Sequence, residues 1–190
     1  MAKSASKKVI VTNAGALTRK YGKAGVQSIR AELKKWAEAD EKNYGLDVTV
    51  VYLDDARSMK PYGTAVSKPL DPRQNKSAID QVYLKELPDY LTILGAADVV
   101  PYQAPDNPVY DPKKKDGDTD RSALGDLAYA CDAAYSEDIR KFLGPTRVVG
   151  RVPDLACVAD GEGDLKYLLN VIRAAESLKP RAYRDRACEC

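Results

Sequence analysis

The 190 residues, 44% hydrophobic and 31% charged, are enough to bury a core and suit one domain of an ordinary globular protein. Thirty basic and 28 acidic residues, well mixed, leave a net charge of +2 and no general reason to expect nucleic acid or an acidic membrane surface as partner. Histidine is absent, which removes the commonest general base and metal ligand, so serine–histidine or cysteine–histidine catalysis cannot be completed within these residues.

The N-terminal stretch MAKSASKKVIVTN runs straight into a strand, with no separate apolar segment and no small-residue cleavage site. That makes a cytoplasmic location the default expectation. Lys8–Thr12, KVIVT, is a β-branched run that predicts a central parallel strand, and NAGALTRKYG after it reads as a loop. Val26, Ile29, Leu33 and Trp36 recur at helical spacing and predict a helix over 25–39 with one face on a sheet. Leu46–Asp55 supplies the second strand. The Pro-rich segment 59–74 reads as an excursion, followed by a helix capped by Asn75 or Ser77 and stopped by Pro88. Tyr90–Leu94 opens a third strand. This alternation predicts a parallel sheet with right-handed crossovers.

Beyond Pro101 the chain turns polar and rich in Pro and Asp. LAYACDAAYS alternates weakly and predicts a short strand or hairpin, 146–154 predicts another strand, and 160–178 predicts an amphipathic helix through Leu165, Leu168, Leu169, Ile172 and Ala175. Residues 1–180 thus read as a single α/β domain and 181–190 as a tail. No apolar run approaches the length of a membrane span.

Several side chains are candidates for chemistry. Asp116, Asp118 and Asp120 stand at the first, third and fifth positions of a calcium loop, but Arg121 replaces its glycine and Leu127 its final glutamate. A looser calcium site drawing on Asp111 or Asp126 is an expectation, with a solvated acidic loop as the plainer reading; no other cofactor is required. Asp54 and Asp55 close the second strand as turn or cap residues, or as magnesium ligands. A phosphate loop has weak support, since neither G-x-G-x-x-G nor G-K-[ST] occurs. Asp98, Asp126, Asp132 and Arg151 lie near strand ends and are expected to converge on one rim, as a structural clamp or part of a substrate site. Of Cys131, Cys157, Cys188 and Cys190, the first two are expected to be buried free thiols.

In order, these segments resemble the N-terminal half of a gingipain-type cysteine peptidase domain, which has the caspase-like three-layer α/β fold. The resemblance is carried by KVIVTNAGALTRKYG, GLDVTVVYLDD, SAIDQVYLKELPDYLTILGAADVVPY, LAYACDAAYSED and TRVVGRVPD. Two positions depart from it: Ala96 stands where an acid follows the glycine, and Cys131 where a serine precedes the acid Asp132. The resemblance implies proteolysis of a peptide or protein substrate by a thiolate and a histidine, both located after Cys190. This chain would then be an incomplete and inactive portion, a half-sheet with an exposed apolar edge prone to self-association. The alternative is a non-catalytic α/β module that binds a protein partner or calcium, its last helix covering that edge.

Overall fold

The computed structural model describes residues 6–155 and 164–179. Strand β1 (Lys7–Thr12) is buried from Val9 to Thr12 because layers cover both its faces, as the unbroken apolar run requires. It is followed by α1 (Ala14–Tyr44), β2 (Asp47–Tyr52), the single turn α2 (Ala56–Met59), α3 (Pro72–Glu86), β3 (Tyr90–Leu94), β4 (Val149–Val152) and α4 (Leu165–Glu176). All strand pairs are parallel, in the order β2-β1-β3-β4. Helices flank this sheet, so the protein is an α/β fold with a mostly parallel sheet, consistent with a three-layer sandwich. α1 and α4 pack together on one face, and crossover handedness puts α3 on the other. Among the described residues the outer side of β4 has no partner strand.

The segment expected to be a loop after β1 is helical instead. Asn13, in the cap position, makes no side-chain cap. The cap comes from Asp54 at the end of β2, whose carboxylate accepts the amides of Ala14 and Gly15, both at 2.7 Å. A Cβ at Gly15 would lie 2.8 Å from that carboxylate, so the glycine admits the cap. Gly22, at φ 69°, then breaks the helix, and the predicted stripe of Val26, Ile29, Leu33 and Trp36 is buried beyond it. α3 likewise begins earlier than expected, at Pro72, because Asp71 accepts from Arg73 and Gln74 and the proline suits the first turn.

α4 is shorter than the predicted helix: Asp164 caps it, and 156–163 lie outside the described residues. It is tied to α1 by Glu32 and Arg173 at 2.9 Å. The Arg173 hydrogen bond, with help from Lys35, outweighs burial and holds the Glu32 carboxyl below its ordinary 4.5. A carboxyl lowered by folding stabilises the native state above its unfolded value and ceases to do so as the pH falls through the folded one. Acid titration of stability is therefore expected to steepen below about pH 4.5, and Arg173→Met is expected to flatten that limb. Equal slopes in both proteins would contradict the assignment.

Between β3 and β4 the chain makes a long excursion. LAYACDAAYS forms neither strand nor hairpin. Leu127–Ala130 is a 3-10 turn, because Ala128, Tyr129 and Cys131 are the buried positions and their spacing does not fit a strand's two-residue alternation. The fully buried Tyr129 hydroxyl donates to the Pro101 carbonyl at 2.8 Å. α3 fastens the excursion from below. Lys76, wholly buried, donates to both Asp80 oxygens at 2.6 Å and to the Cys131 carbonyl at 3.2 Å. The buried Arg147 pairs with the same Asp80 and lies 4.3 Å over the Tyr83 ring.

Candidate functional site

At the carboxyl ends of β1, β3 and β4 the stretch YLTILGAADVVP makes its corner. Gly95 sits at φ 108°, a conformation side chains rarely adopt, and a Cβ there would lie 2.6 Å from that of Val99. The amides of Val99 and Val100 both return to the Ala96 carbonyl at 3.0 Å, closing one turn whose exit residues are fully buried. The polar insert is thus a single tight turn between two buried runs.

Arg151, reaching over from β4, grips both ends of that turn. Its Nη1 donates to the carbonyls of Gly95 at 2.7 Å and Val100 at 2.9 Å. Its Nε and Nη2 donate bidentately to Asp126 at 2.8 and 2.6 Å, and the guanidinium lies 4.8 Å over the Tyr102 ring. With four hydrogen bonds and a side chain 7% exposed, Arg151 acts as a clamp and has no donor fork left for a ligand. The Arg151–Asp126 pair thus holds the corner in place.

Asp98 belongs to a second network. Lys20 of α1 donates to Asp98 at 2.7 Å, to Asp154 at 2.9 Å and to the Leu155 carbonyl at 2.6 Å. Asp154 is fully buried; it accepts the Ala96 amide at 2.5 Å and the Tyr21 hydroxyl. Burial alone lowers the Lys20 ammonium, but Asp98 and Asp154 outweigh it and hold the group above its ordinary value. Burial, and then Asp154, push the Tyr21 phenol up, so both side chains keep their protons throughout the physiological range. The expected convergence of four side chains is therefore corrected. Asp126 joins Arg151, Asp98 joins Lys20, and Asp132 is exposed and joins neither. Lys20 and Tyr21 fall in a segment that reads as loop, and Asp154 closes the predicted strand 146–154, whereas β4 ends at Val152 and leaves Asp154 free to turn back onto the Ala96 amide.

The sheet order reverses between β1 and β3, the place where open α/β sheets receive ligands. Both sets of amides facing it are already taken by the chain's own carboxylates: Asp54 on Ala14 and Gly15, and Asp154 on Ala96. Asn13 spends its amide group on Asn75 at 2.8 Å and the Val99 carbonyl at 2.9 Å. The amides of Ala14, Gly15 and Ala96 are thus not free for a phosphate. Asp55 is the cap of α2 rather than a metal partner of Asp54.

In the acidic loop, Asp118 accepts the Asp120 amide at 2.9 Å and the Asn107 side chain at 2.9 Å, which hold its carboxyl below the usual range. Asp111 accepts the Lys113 amide at 3.2 Å. These bonds organise a turn, and among the described residues no three acidic or cysteine side chains gather as a metal-ligand set. Cys131 is a buried free thiol, raised by burial and so unreactive. Cys157, Cys188 and Cys190 lie outside the described residues, as does the tail 181–190. Among the described residues no helix is long and apolar enough to cross a membrane.

Comparison with family models, curated proteins and solved structures finds no match to this sequence.

Proposed function

We propose that this chain is the N-terminal portion of a gingipain-like cysteine endopeptidase, the part that builds the sheet and borders the substrate crevice without carrying the catalytic dyad. The observation that carries the reading is the outer edge of β4, unpaired among the described residues, in a parallel sheet whose order already runs β2-β1-β3-β4. A strand added there would continue the sheet, and its carboxyl end would lie beside the corner that Arg151 clamps. The carboxylates of Asp54 and Asp154 on the Ala14, Gly15 and Ala96 amides add negative charge at the order reversal, which disfavours the nucleotide- or phosphate-binding use of such a sheet.

On this reading the thiolate that attacks the peptide carbonyl, and the histidine that protonates the leaving amine, come from residues after Cys190. The chain's own contribution is rigidity. Arg151 and Asp126 fix the corner after β3, and Lys20, Asp98 and Asp154 fix the start of α1 against the segment leaving β4. Treating the native polypeptide with a thiol-directed peptidyl ketone tests the reading. The expected product is an adduct on a cysteine other than Cys131, Cys157, Cys188 and Cys190. A native polypeptide that takes up no probe would favour the non-catalytic module.

A further inference from the structure

Independently of the peptidase reading, we propose that the turn Lys113–Lys115 is a processing site for a protease that recognises basic side chains, and that the cut chain keeps its fold as two associated fragments. Three consecutive lysines stand at the tip of the excursion between β3 and β4, and residues 108–116 are all exposed. The backbone hydrogen bonds at this tip stay local. The Asp111 amide donates to the Asp118 carbonyl at 2.8 Å, and the Gly117 amide to the Lys114 carbonyl at 2.9 Å. No hydrogen bond of residues 108–118 reaches beyond the excursion among the described residues. Opening the tip into the extended form a protease requires therefore breaks only these few bonds and exposes no core.

Other exposed basic positions are less available. Lys60 and Lys68 each precede a proline, whose ring removes the amide hydrogen and restricts the residue before it. Arg19, Lys23, Arg30, Lys34, Lys35 and Lys42 lie within α1, Arg57 within α2, and Arg73 and Lys85 within α3. Arg140 is held bidentately by Asp138 in a 3-10 turn that also contains Lys141, beside the buried Phe142. Arg121, in the excursion itself, accepts the Asn107 amide on its carbonyl at 2.9 Å and stands next to the Asp106–Ser122 bridge.

The ties that cross the cut explain why the fragments would stay together. Cleavage leaves β4 paired with β3, α4 against α1, and Arg151 on the Gly95 and Val100 carbonyls. Arg147 remains on Asp80, and Lys76 on the Cys131 carbonyl. Closer to the cut, isolated antiparallel bridges Gln103–Gly125 and Asp106–Ser122 hold the base of the excursion. Hydrolysis adds one water across a lysyl amide, leaving a carboxylate on that lysine and an ammonium on the following residue. Both new charges form in solvent.

The test is brief digestion of the folded 190-residue chain with trypsin, followed by intact mass spectrometry and by size exclusion without denaturant. The first cut within residues 6–155 is expected after Lys113, Lys114 or Lys115. Its two fragments should elute together at the parent volume and separate in urea. A chain carrying Lys113→Gln, Lys114→Gln and Lys115→Gln should be cut within residues 6–155 at least about tenfold more slowly, since the fold protects the remaining sites of that stretch. A first cut elsewhere in 6–155, or fragments that part without denaturant, would overturn the proposal.

Discussion

Replacing Asp80 by asparagine is expected to destabilise the protein by about 3–5 kcal/mol, the cost of leaving buried charge uncompensated. Among the described residues Asp80 is the one carboxylate joined to two buried cations, Lys76 with a fully buried side chain and Arg147 with a side chain 1% exposed. Neither cation can reach water without unpacking α3 from the excursion. Lys76→Met should behave oppositely. It removes the cation that is hardest to keep charged, since burial outweighs Asp80 and lowers the Lys76 ammonium below its ordinary value. It also leaves Asp80 paired with Arg147, and should cost within about 1 kcal/mol or stabilise. The sign with pH follows from linkage. A lysine whose folded value is lowered binds fewer protons folded than unfolded, so stability rises with pH between the folded value and 10.5. Asp80→Asn should enlarge that rise, because Lys76 loses its partner. Urea midpoints at pH 7 and pH 10 check this. A mild Asp80→Asn, or a Lys76→Met as damaging as Asp80→Asn, would contradict the account.

Gly95→Ala is expected to cost about 3 kcal/mol, from a backbone conformation that disfavours a side chain and from overpacking against Val99. In a chain of this length that lowers the melting temperature by roughly 10 °C. The loss should come with a loosened clamp, since Arg151 donates to the Gly95 carbonyl itself. Gly150→Ala is the control: a Cβ there meets nothing within 4 Å, and the change should fall within about 0.5 kcal/mol. Thermal melts of the two variants decide the matter, and equal effects would remove the special role of the corner.

What was legible in the sequence was what local pattern controls. The β-branched run Val9–Thr12, the helical stripe from Val26 to Trp36 and the strand–helix alternation each announce the parallel sheet, because burial on one or two faces writes itself into spacing. The Gly95 corner, too, is visible locally, since Asp98 stands between the apolar runs Leu91–Leu94 and Val99–Val100. What was not legible depended on partners far along the chain. Helix α1 starts at Ala14 because Asp54, forty residues away, supplies its cap. Lys76 and Asp80, four apart on a helix, carry no local sign of burial, which comes from the excursion that closes over them. The same holds for the functional candidates. Asp98, Asp126, Asp132 and Arg151 could be placed near strand ends, but spacing does not say that Asp126 is the partner of Arg151, nor that the partner of Asp98 is Lys20, in a segment that reads as loop. Asp132 shares the strand-end location but points to solvent, a distinction that only the 3-10 turn at Leu127–Ala130 creates.

The central claim, that this sheet continues past β4 into a cysteine peptidase, is tested most directly by the intact mass of the native polypeptide after treatment with the thiol-directed peptidyl ketone. The claim predicts a species heavier than the 20.8 kDa of these residues, carrying one probe on a cysteine beyond Cys190. A native polypeptide of 20.8 kDa that carries no probe would contradict it.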